Sequence, residues 1–124
     1  MSEIALDELE RRLDELTVID VRTASEYAGA AGYPCDPRQG HIPGARHIEL
    51  GVLLRLSAAQ VREAVGLPER AELVVYCHSG SRSALAAEVL RAAGYDARNY
   101  AGSWHEWSRA ARAPADEPRA DGGG

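Results

Sequence analysis

The chain alternates between stretches with helical spacing and short apolar runs of strand length. Leu6, Leu9, Leu13 and Leu16 recur every three or four residues, which marks one face of a helix. Val18-Ile19-Asp20-Val21 is an apolar run of strand length. Thr23 and Ser25 offer caps for a short helix through Glu26 and Tyr27. Residues 28–44 are dense in glycine and proline and read as a long loop. Arg46–Glu49 predicts a brief strand. Ser57 suits the N-cap of a helix running to Val65, and Gly66 suits its end. Leu73-Val74-Val75-Tyr76 gives the clearest buried-strand signal. It leads directly into Cys77-His78-Ser79-Gly80-Ser81-Arg82. A helix follows, with Leu85, Val89 and Leu90 on its apolar side and Gly94 as its stop. Asp96–Tyr100 reads as another strand and Trp104–Ala111 as another helix. Strands separated by helices predict an α/β fold with a parallel sheet covered on both faces.

Length and composition narrow the chemistry. The 124 residues make one domain, expected over residues 1–112, with a disordered tail over 113–124 that is rich in Pro, Gly, Ala and charge. All 14 basic residues are Arg, and Lys is absent. This excludes a Schiff-base lysine and a phosphate-loop lysine. Two cysteines, Cys35 and Cys77, cannot build a four-cysteine metal site. Cys35, His41 and His78 are scattered along the chain with no fourth ligand at a usual spacing, so no metal and no cofactor are expected. A net charge of −5 argues against nucleic acid as a partner. No apolar run is long enough for a membrane span. Met1–Glu10 is acidic and unlike a secretory signal, so a cytoplasmic location is expected.

The segment at Cys77 carries the chemistry. A thiol between the end of a parallel strand and the start of a helix faces the positive end of the helix dipole. The small residues of the loop, Gly80 among them, let backbone N–H groups turn inward as an anion nest. Arg82 adds a permanent positive charge. Each effect favours thiolate over thiol and lowers the pKa of Cys77. The segment thus describes a nucleophilic cysteine in an anion-binding cradle. Arg82 has two readings here: it orients an anionic donor, or it pairs with a nearby carboxylate. His78 reads as an exposed spectator.

Four motifs in order carry a family resemblance. They are Val18-Ile19-Asp20-Val21-Arg22 with Glu26-Tyr27, Gly40-His41-Ile42-Pro43-Gly44-Ala45, Val75-Tyr76-Cys77 with its loop, and Tyr100-Ala101-Gly102-Ser103-Trp104-His105-Glu106-Trp107. Together they resemble the rhodanese family of sulfurtransferases. The resemblance implies a three-layer α/β sandwich around a five-stranded, mostly parallel sheet. It implies that Cys77 is the catalytic residue and that His78, Ser79, Gly80, Ser81 and Arg82 form the active-site loop. In the family, the cysteine takes a sulfane sulfur from a small anionic donor such as thiosulfate. A thiol, cyanide or a protein then accepts it. Asp20, Arg22 and Trp104 look supportive. Asp20 is placed to bond loop backbone, Arg22 to pair with Glu26 on a helix surface, and Trp104 to pack in the core or wall the pocket. A monomer is expected.

The chain departs from the family at residues 28–39, a loop about ten residues longer than the usual link. It carries Cys35, for which a resolving-thiol role requires a fold that brings it to Cys77; a loop cysteine with no role is the alternative. Two other functions compete. Related phosphatases and arsenate reductases use a Cys-x5-Arg loop, whereas Cys77 to Arg82 is Cys-x4-Arg, a tighter cradle suited to a single sulfur. A binding or relay module would use the same fold to pass persulfide to a partner protein.

Overall fold

The computed structural model describes residues 3–110. The expected tail at 113–124, and the last two residues of the expected domain, lie outside the described residues. Four strands form one sheet: β1 (Thr17–Asp20), β2 (Arg46–His47), β3 (Glu72–Tyr76) and β4 (Asp96–Asn99). Their order is β2-β1-β3-β4, and all pairs are parallel. Six helices connect and cover them: α1 (Leu6–Arg11), α2 (Ala24–Ala28), α3 (Leu50–Leu53), α4 (Ala58–Val65), α5 (Ser81–Ala92) and α6 (Ser103–Trp107). Among the described residues, no helix is long and apolar enough to cross a membrane.

The two-residue period of a strand divides the core into two layers. Leu73, Val75 and Cys77 face one side with Ile19, Val21, Val61, Val65, Ala86, Ala87 and Leu90. Val74 and Tyr76 face the other with Leu9, Ile42, Tyr100, Trp104 and Trp107. Helices therefore lie on both faces of the sheet. The same alternation places Cys77 against α5.

The start and stop signals act as their chemistry predicts. Thr23 and Ser57 close capping boxes with Glu26 and Gln60, so two orphan amides of each helix are bonded. Gly66 ends α4 at φ 73°, a left-handed position where a side chain would be strained.

Four details correct the sequence-based expectations. Among the described residues the sheet has four strands rather than five. Glu3 makes only an isolated parallel bridge to Asn99, because the chain turns into α1 at Leu6. The leucine-spaced helix stops at Arg11; a turn then delivers Leu16 to the core. The strand at Arg46 closes after His47 and a short helix, α3, follows. Leu85 is exposed, since the buried stripe of α5 is Ser83, Ala86, Ala87 and Leu90. Small residues on that face let α5 approach the sheet closely.

A buried charge pair ties these parts together. Arg22 is not on a helix surface with Glu26, as its spacing suggests, but is almost fully buried beside Asp20. Its Nε and Nη2 donate to the Asp20 carboxylate at 2.7–3.1 Å, and Nη2 also donates to the Gly40 carbonyl. The Arg22 amide and the Tyr76 hydroxyl complete the shell of Asp20, at 2.9 and 2.7 Å. The Tyr76 oxygen in turn accepts from the Ile42 amide. Burial alone would push the Arg22 pKa down, but the bonds and charge of Asp20 reverse this and raise it. Burial, reinforced by Asp20, pushes the Tyr76 phenol well above its ordinary value, so it remains a neutral donor. Removing one member of such a pair strands the other charge. Asp20→Ala is expected to cost about 3–5 kcal/mol in urea unfolding. A loss below about 1 kcal/mol, the range of an exposed pair, would contradict this role.

Candidate active site

Cys77 follows β3 directly, and its side chain is 1% exposed. The chain then turns over three residues, 78–80, into α5. Gly80 sits at φ 99°, and a Cβ there would lie 2.6 Å from the Ala101 carbonyl oxygen, so only glycine fits this turn. The turn aims donors at sulfur. The Gly80 amide lies 3.1 Å from Cys77 Sγ, and the Ser83 amide and hydroxyl each lie 3.4 Å away. The amides belong to the N-terminal end of a twelve-residue helix, whose dipole reinforces them. Burial pushes the thiol pKa up. The donors of Ser83, Gly80 and Ser79 more than offset it, and the net shift is downward.

The other end of the loop is fixed by α6. Trp104 N–H donates to the Cys77 carbonyl and His105 N–H to the His78 carbonyl, both at 2.9 Å. Ser103 Oγ accepts from the Cys77 amide at 3.1 Å and donates to the Tyr100 carbonyl at 2.8 Å. The motif at 100–107 thus serves the loop through backbone and hydroxyl groups.

Two residues that the sequence reading passed over complete the cradle. Ser83 Oγ lies 2.6 Å from Asn99 Oδ1, and Asn99 Nδ2 donates to the Gly80 carbonyl at 3.1 Å. That second bond fixes the amide so that its oxygen faces Ser83. The Ser83 hydroxyl has one proton and two candidate acceptors, Asn99 and sulfur. A thiolate competes for that proton in a way a thiol does not. The local signal was faint: Ser83 is a serine just after Arg82, and Asn99 is a polar residue inside a strand.

Arg82 pairs with a carboxylate. Its Nη1 and Nη2 lie 3.1 and 3.4 Å from the two oxygens of Glu26, which Thr23 also bonds. Burial lowers the Arg82 pKa, but Glu26 more than restores it, and the net direction is upward. Beside this pair opens a cavity of about 350 Å³ lined by Thr23, Glu26, Gly32, Tyr33, Pro34 and Arg82.

The long loop folds against the site. Tyr33 stacks on His78 with ring centroids 3.7 Å apart. Asp36 Oδ2 lies 2.9 Å from His78 Nε2, and Asp36 Oδ1 accepts from Arg109 at 2.8 Å. His78 is therefore no exposed spectator. Trp104 is fully buried, donates its Nε1–H to the Arg38 carbonyl at 3.0 Å, and lies under the Arg22 guanidinium. The pocket wall is supplied by Tyr33 and Pro34 instead. Cys35 is exposed, and neither cysteine is in a disulfide. His41 stacks on Tyr27 and bonds its carbonyl, away from Cys35 and His78.

The cradle makes a checkable claim about protonation. A depressed pKa enlarges the thiolate fraction at any given pH. Removing a donor raises the pKa and depletes the thiolate. Ser83→Ala is therefore expected to move the pH midpoint of iodoacetamide alkylation upward and slow alkylation at pH 7, read in a Cys35→Ser background. An unchanged profile would remove the hydroxyl from the account.

A sequence profile described as the rhodanese-like domain matches residues 5–110. A thiosulfate sulfurtransferase of Pseudomonas aeruginosa is 32% identical over 111 residues, covering 82% of this chain and 40% of that protein. The sulfur carrier protein TtuD of Thermus thermophilus is 34% identical over 113 residues, covering 78% of this chain and 40% of its own. The chain thus spans about 40% of the length of these curated relatives. The structure of the human single-domain sulfurtransferase TSTD1 superposes with a TM-score of 0.62 at 31% identity, covering 86% of this chain and 95% of that one.

Proposed function

Because the chain belongs to the rhodanese-like domain family, we propose that it is a monomeric sulfurtransferase that carries a sulfane sulfur on Cys77. The observation that carries this reading is the set of donors converging on one buried sulfur, from Gly80 and from the amide and hydroxyl of Ser83. They stabilise negative charge on sulfur, as an oxyanion hole does on oxygen. The Cys77 thiolate attacks the outer sulfur of thiosulfate, and a new S–S bond forms. The bond between the two thiosulfate sulfurs breaks, and sulfite leaves with its electron pair. Cyanide or a thiolate then attacks the outer sulfur of the persulfide, and Cys77 leaves as thiolate. Neither step needs a general base once the converging donors have ionised the nucleophile. The Cys-x4-Arg count, and a cradle whose side-chain cation is already held by Glu26, fit a single sulfur better than a tetrahedral phosphate.

A second reading is a relay that passes persulfide from a donor protein to an acceptor. It is supported by the likeness to a sulfur carrier protein and by the Glu26–Arg82 pair, which offsets charge that a dianionic donor would use. Cys35 is proposed as a resolving thiol, because its loop packs against His78, the neighbour of Cys77.

Steady-state kinetics with thiosulfate and cyanide test the enzyme reading. Saturable turnover with parallel double-reciprocal lines is expected, abolished by Cys77→Ser. Robust phosphatase activity with no sulfur transfer would overturn it. Negligible small-molecule turnover with rapid persulfide exchange to a protein would favour the relay. In the resolving role, Cys35→Ser slows thiol-dependent turnover; an unchanged rate removes that role.

A further inference from the structure

We propose that Cys35, Asp36 and His78 form a binding site for a thiophilic divalent cation, zinc by its ligand set. One ligand atom from each residue falls in a single cluster, all within 4.8 Å of one another. The Asp36 side chain is fully buried, yet its Oδ2 accepts no hydrogen bond. His78 Nε2 likewise has none, although the two atoms are 2.9 Å apart. Two buried polar atoms therefore sit side by side without a hydrogen bond, which is costly, at a separation that two neighbouring ligands of one small ion adopt. Cys35 brings sulfur to the same carboxylate, with Sγ 3.9 Å from Asp36 Oδ1.

The surroundings are those of a metal ligand set. Tyr33 stacks on His78 and fixes the plane of the imidazole. Arg109 donates to the other Asp36 oxygen and to the Cys35 carbonyl, each at 2.8 Å, as an outer layer that orients the ligands. Sulfur, nitrogen and carboxylate oxygen together suit zinc, whereas magnesium and calcium favour all-oxygen sites. Bond lengths of about 2.0–2.3 Å put ligands of one tetrahedral ion roughly 3–4 Å apart. The cluster reaches that spacing by a modest rotation of the exposed Cys35 side chain. Three protein ligands leave the fourth corner to water. The thiolate and carboxylate together offset the ionic charge. A bound ion would fasten the 28–39 loop to the residue next to Cys77. Sequence spacing concealed the site, because Asp36 was not among the candidates and His41 lies elsewhere.

The site does not depend on the sulfur-transfer reading, and the test separates the two. In Cys77→Ser the sole thiol of the 124-residue chain is Cys35. That variant can form no Cys35–Cys77 disulfide, so resolving chemistry cannot mimic binding. Titration with Co²⁺ is expected to give one ion per chain and a thiolate-to-cobalt charge-transfer band that Zn²⁺ displaces. Adding His78→Ala is expected to weaken affinity by about tenfold or more. Adding Cys35→Ser is expected to abolish the band. No charge-transfer band in Cys77→Ser, or undiminished affinity with His78→Ala, would overturn the proposal. Should His78→Ala fail to fold, Asp36→Asn carries the same comparison.

Discussion

A carboxylate sealed inside an α/β core must find donors, and Asp20 finds them in two residues that also tie down a third stretch of chain. Arg22 lies two residues on, Tyr76 belongs to the adjacent strand, and Arg22 and Tyr76 also hold the turn at Gly40 and Ile42. None of these groups can be satisfied alone at 0–1% exposure. The cost of leaving any of them unpaired forces β1, β3 and the turn to meet at the C-terminal edge of the sheet. Tyr76 is the last residue of β3, so the next residue, Cys77, leaves the sheet from a fixed point.

From there the rest follows by geometry. Strand alternation sends Tyr76 to the α6 face and Cys77 to the α5 face. Gly80 permits a turn that no other residue fits, and α5 then starts with its free amides directed back at sulfur. Asn99 at the end of β4 locks both the Gly80 carbonyl and the Ser83 hydroxyl. The thiolate is thus stabilised by dipoles fixed before any substrate arrives, which is where electrostatic preorganisation is most effective. Arg82 contributes less than its position in the loop implies, because Glu26 takes both of its terminal nitrogens.

What could be read from the sequence was local. The run Leu73–Tyr76 followed by small residues and a helix specifies a strand–turn–helix, and a cysteine there has its chemistry fixed by position. Caps at Thr23 and Ser57 and the stop at Gly66 are likewise short-range devices. Partner choice was not legible. Arg22 and Glu26 stand four apart, but each pairs elsewhere, with Asp20 and with Arg82, because α2 begins only at Ala24 and Arg22 points into the core. Ser83–Asn99 and Asp36–His78 join residues 16 and 42 positions apart (99 − 83; 78 − 36), and no pattern of neighbours announces them. The burial of Ser83 in place of Leu85 has the same origin. Helical periodicity gives a face, but the close approach of α5 to the sheet selects small side chains.

The central claim is that one sulfur, Cys77, becomes the carrier because converging donors hold it as an anion. Peptide mass spectrometry after thiosulfate treatment tests it most directly. The account predicts one added sulfur on the Cys77 peptide, none on the Cys35 peptide, and its removal by cyanide. An adduct confined to Cys35, or none on Cys77 with either thiosulfate or a low-molecular-weight persulfide, would contradict it.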